Sequence, residues 1–112
     1  MATTIATINI LQEYLNGVLE RADHHANNVN EIALVIAGGI IWKTSKDLKV
    51  MTRNGEMKNV LWLQTKDNLI CFVFNHVTGN INVRDNGIQG KTIVSFNNTN
   101  SLKDVKDFFK TL

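Results

Sequence analysis

The sequence has no proline and a single cysteine among its 112 residues. One cysteine cannot close an intramolecular disulfide, and no Cys/His cluster with zinc spacing accompanies it, so no covalent or metal staple is expected and a reducing, cytoplasmic setting fits. Charge is sparse too: 20% of residues are charged against 44% apolar, the balance of a globular chain and not of a disordered one. No basic residue precedes Arg21, so the positive start of a signal peptide is missing. The longest uncharged apolar run, Ile32 to Trp42, covers about 16 Å as a helix against a hydrocarbon core of about 30 Å, and no membrane span is expected. The familiar signatures G-x-x-x-x-G-K-S/T, G-x-G-x-x-G, G-x-S-x-G and H-E-x-x-H are all absent. That argues against the common nucleotide-binding and hydrolase machineries, calls for no cofactor or metal, and weighs against an enzyme.

What is present describes one domain over residues 1–112, long enough to bury roughly two thirds of its unfolded surface. From Asn9 the spacing Leu11, Leu15, Val18, Ala22, Ala26 marks one helical face, with Asn9 and Gln12 resembling a capping box. Ile32 to Trp42 is apolar at both parities; the even positions are bulky and the odd ones mostly small, which predicts a long strand with a bend at Gly38-Gly39. A meander follows: Leu48 to Thr52, Lys58 to Gln64, Leu69 to Asn75, Ile81 to Arg84 and Thr92 to Phe96, punctuated by Asn54-Gly55, Gly79, Asn86-Gly87 and Gly90. Ser101 with Asp104 then caps a helix whose Leu102, Val105, Phe108, Phe109 and Leu112 form a stripe. The expected fold is α+β: an antiparallel sheet of five or six strands, a long first strand and then the meander, with one N-terminal and one C-terminal helix.

Several of these strands are apolar on both parities, so two helices on one face would leave the other bare. A second copy of the chain is the expected cover, in a two-fold dimer with Trp42 and Trp62 at the interface. Charge is uneven along the chain: residues 1–42 carry net −3, residues 43–66 net +4 and the remainder +1. The basic segment, with Lys43, Lys46, Lys49, Arg53 and Lys58 between the two tryptophans, has the composition of a nucleic-acid platform, although a mild basic block is usually a solvated face and packing of the tryptophans in core or interface is the favoured reading.

The densest polar cluster runs from Glu20 to Glu31. Its adjacent histidines, His24 and His25, point in different directions on a helix and cannot easily chelate one metal. The reading that follows is a non-enzymatic, self-associating protein that binds a small polar ligand or a protein partner at the end of helix one. Arg21 and Asn28 would be donors, Glu31 the acceptor and His25 the pH-sensitive member. The alternatives are a nucleic-acid-associated protein using the basic segment and a small enzyme with His25 and Glu31 as an acid/base pair. Cys71, between Ile70 and Phe72, is read as core, and His76 as a hairpin-loop residue.

The strings ERADHHANNVNEIA (20–33), AGGIIWKT (37–44), NGEMKNVLW (54–62), NHVTGNINVRD (75–85), IQG (88–90) and SFNN (95–98) make the chain resemble small proteins encoded by mobile gene cassettes of bacterial integrons, nearly full length from about Glu20 onward. The resemblance implies a bacterial, cytoplasmic, stand-alone α+β domain acquired by lateral transfer. It supplies no catalytic motif to carry over.

Overall fold

The computed structural model describes residues 2–6, 8–25, 27–54 and 56–112, with the side chains of these apart from residues 3, 25 and 56–58. Strand β1 (Ala2–Ile5), helix α1 (Ile8–His25) and helix α2 (Ile32–Lys43) come first. Then follow β2 (Leu48–Arg53), β3 (Glu56–Gln64), β4 (Leu69–Asn75), β5 (Asn80–Asp85), β6 (Thr92–Phe96) and α3 (Leu102–Lys110). The six strands form one open antiparallel sheet in chain order, β1 to β6, so the α+β class and the strand count stand. The sixth strand is β1, whose four residues pair with β2 and precede the first helix signal. Because α1 starts at Ile8, Asn9 lies inside its first turn and is not its cap. Ala26, the expected end of that helix, and Gly55, in the β2–β3 turn, lie outside the described residues.

The expected long first strand at Ile32 to Trp42 is instead α2, and Gly38-Gly39 is no strand bend. Ile32, Ile36 and Ile40 recur every four residues, and none is more than 6% exposed. With Ala33 they make a helical buried face, and burial overrides the modest helix penalty of β-branched residues. Apolar residues continue around the rest of the helix, which is why both strand parities are filled and alternation misleads. The other edge of β2 is already taken by β1, so the sheet has no vacancy for this segment between its neighbours.

Register fixes which face is core. Val50, Leu61, Phe72, Val83 and Val94 pair in one row across β2 to β6, and they join the helices' buried residues in a single cluster. All three helices cover this face. On α3, the Phe109 ring stacks on Phe72 at 6.0 Å and Phe108 meets Phe96 edge-on at 5.7 Å. The capping box at its start is formed: the Ser101 hydroxyl accepts from the Asp104 N–H and the Asp104 carboxylate from the Ser101 N–H, each at 3.0 Å. That hydrogen bond from the Ser101 backbone holds the Asp104 carboxyl below the usual range.

The opposite face carries the row Lys49, Trp62, Cys71, Arg84, Thr92. It is less bare than expected. Arg84 donates from Nη1 to the Ile88 carbonyl at 3.1 Å, so the segment after β5 folds back over Trp62, and Cys71 beneath is fully buried. Burial raises the Cys71 thiol to about 11 against the opposing charge of Arg84. The β5 and β6 positions on this side include Asn82 and Ser95, hydrogen bonded at 2.8 Å.

Candidate functional site: a cavity between helices and sheet

Helix α1 lies over the sheet without closing onto α2, and the gap is a cavity of about 410 Å³. Leu11, Leu15 and Val18 wall it from α1, Ile36, Ala37 and Ile40 from α2, and Leu61, Phe72, Phe74 and Ile81 from the sheet. Alanines 22, 33 and 37 stop short of filling it. The α1 side is the loose one: Leu11 and Val18 are only partly buried although their stripe faces inward.

Among the described residues, four polar side chains reach this space: Tyr14, Arg21, Asn59 and His76. Arg21, half-buried, donates to Asn59 Oδ1 from Nη2 at 2.7 Å and from Nε at 3.2 Å. It folds back along α1 over Gly17, where a Cβ would stand 2.9 Å from Arg21 Nη1. Tyr14, two turns before Arg21, is 7% exposed; burial pushes its hydroxyl up to about 12, against the pull of Arg21's charge. His76, exposed at the rim, packs edge-on against the Phe74 ring at 4.9 Å.

Of the residues expected to bind a ligand, the structure brings Arg21 to the cavity. The Asn28 side chain donates instead to the Gly79 carbonyl at 3.1 Å, tying the α1–α2 link to the β4–β5 hairpin. Glu31 is exposed at the N-cap of α2, and its side chain makes no cap hydrogen bond. The cap comes from Asn98, whose Oδ1 accepts from the Glu31 N–H at 3.1 Å and the Ile32 N–H at 2.9 Å while its Nδ2 donates to the Asn27 carbonyl and Asn30 Oδ1. Much of the asparagine-rich cluster is thus occupied in joining segments. The side chain of His25 lies outside the described residues, and with it the proposed acid/base pair with Glu31.

The basic segment does not gather on one surface. Lys43 reaches the Leu112 carbonyl at 3.3 Å and lies over the Trp42 ring, Lys49 is on the sheet's opposite face, Lys46 and Arg53 are exposed, and the Lys58 side chain is outside the described residues. Trp42 belongs to the helical layer and Trp62 to the far side of the sheet, so the two share no patch. Among the described residues, no group of three His, Cys, Asp or Glu could hold a metal ion, and no helix is long and apolar enough to cross a membrane.

Asn59, His76 and Tyr14 were missed as site residues. Asn59 had a signal: parity puts it on the same strand face as Leu61 and Leu63, a polar side chain aimed where the core should be. His76 and Tyr14 had none, because their place at the cavity depends on how far α1 stands from the sheet.

No curated protein matches the chain. A family model described as "Integron cassette protein VCH_CASS1 chain" matches residues 11–106, starting earlier than the strings that carry the resemblance and covering most of the domain. The chain belongs to this integron cassette protein family.

Proposed function

We propose that this protein is a non-enzymatic binding protein that takes a small amphipathic molecule into the cavity between α1, α2 and the sheet. The observation that carries the reading is an apolar space of about 410 Å³ with a few polar side chains at one part of its wall, the usual build of a small-molecule site. Apolar voids that do not hold water take up apolar ligands. The walls favour a mainly apolar body over the small polar ligand or protein partner expected at helix one's end. The test is titration with the solvatochromic dye Nile red. Its fluorescence should rise and saturate at one dye per chain, and Ala37→Phe, which fills the cavity from α2, should weaken binding at least about tenfold. No rise, or equal binding by the variant, sinks the reading.

Self-association is supported by the helical layer, which carries Trp42 of the two expected tryptophans, and not by the sheet face that carries Trp62. Helix α2 turns Leu34, Gly38, Ile41 and Trp42 outward, with the three large side chains more than half exposed. A second copy suits this stripe. An antiparallel pairing about Gly38, where an added Cβ would meet nothing, sets Leu34 against the copy's Trp42 and brings acidic Glu31 to the end that bears Lys43. Light scattering should give the mass of two chains, and Leu34→Lys should give that of one. A single-chain mass for the wild type at every concentration rules the pairing out.

A further inference from the structure

Resting on that cavity reading, we propose that the ligand is a carboxylate with an apolar body, its head group held by Arg21. Arg21 is the only residue with a full positive charge among the described residues lining the cavity, and none of those lining residues is Asp or Glu. Its hydrogen-bond partner is the neutral amide of Asn59, and no carboxylate among the described residues pairs with it. A guanidinium half removed from water beside apolar walls gains most from an anion, and its planar fork matches a carboxylate's two oxygens.

The position is prepared. Gly17 leaves room for the guanidinium to lie back over the helix, and Asn59 holds its Nε and Nη2 edge from the sheet side. At the roughly 30 Å³ that a water occupies in the liquid, the cavity accommodates on the order of a dozen small groups, which suits a medium-length acyl chain or a fused aromatic acid.

The experiment displaces bound Nile red with decanoate, decanol and decyltrimethylammonium, three ligands that share a tail and differ in head charge. Decanoate should displace the dye from the wild type, and Arg21→Met should weaken decanoate about ten- to a hundredfold while leaving decanol within about twofold. Gly17→Ala is the second variant. It adds helix propensity to α1 and pushes the guanidinium out of place, so decanoate should weaken several-fold with decanol unchanged. If the acid and the alcohol weaken alike in both variants, if the cation competes as well as the acid, or if decanol displaces the dye and decanoate does not, the carboxylate assignment is wrong and the cavity reading survives. Failure of Nile red to bind the wild type removes both.

Discussion

Replacing Phe109 with alanine is expected to lower the stability of the domain by about 3 to 5 kcal/mol. Phe109 is completely buried, stacks on Phe72 of the central row and touches Phe108 edge-on. Its ring also fills a notch on α2: a Cβ built at Gly39 would lie 2.3 Å from Phe109 Cδ2. Only glycine lets the ring approach the helix backbone this closely. One side chain therefore joins α3 to both α2 and the sheet, and its removal leaves a void that two packed elements must close together. Phe108, only partly buried against the core, should cost distinctly less. Urea denaturation of the two variants decides the matter; a loss below about 1 kcal/mol for Phe109→Ala would mean that α3 is peripheral.

How far the sequence shows this arrangement depends on whether a residue's role is local. The α3 stripe and its capping box are legible because both are set within one or two helical turns, and the structure forms them. The meander is legible because strand alternation and turn residues recur along it. The residues of α2 are harder. Their helical period is masked by apolar residues on every side, and the reason for Gly39 appears only when Phe109, seventy residues later, is placed beside it. The cavity is legible in part: Arg21 stands out as a base in an otherwise acidic first segment, and Asn59 as a polar residue on an inward strand face. That the two meet across 38 positions is a property of the fold. Asn98 is the hardest case, since nothing in its neighbourhood in the chain suggests that it caps a helix starting 66 residues earlier.

The second large effect is expected in alkali, and Tyr14 is its main source. Burial against the α1 side of the core raises its hydroxyl from 10.0 to about 12, and burial raises the Cys71 thiol from 9.0 to about 11. Each is an acid that the folded chain keeps protonated after the unfolded chain has ionised. The stability each contributes is therefore complete below its unfolded value and is lost as the pH rises through its folded value. For Tyr14 most of the loss falls between about pH 10 and 12, about 2 kcal/mol of a total of about 3 kcal/mol. Cys71 begins to contribute about one unit lower, which separates the two groups on the pH axis. Tyr14→Phe keeps the buried ring and removes the titrating hydroxyl, so between pH 10 and 12 its stability should fall by about 2 kcal/mol less than that of the wild type. Arg21 supplies a check on the cavity geometry. Its charge favours the tyrosinate, so Arg21→Met should raise the Tyr14 hydroxyl further and carry the alkaline loss on to higher pH. Urea unfolding free energies measured at intervals across this range for the three proteins give the answer. Parallel curves for wild type and Tyr14→Phe would mean that Tyr14 reaches solvent, and that α1 does not close over the core where the structure places it.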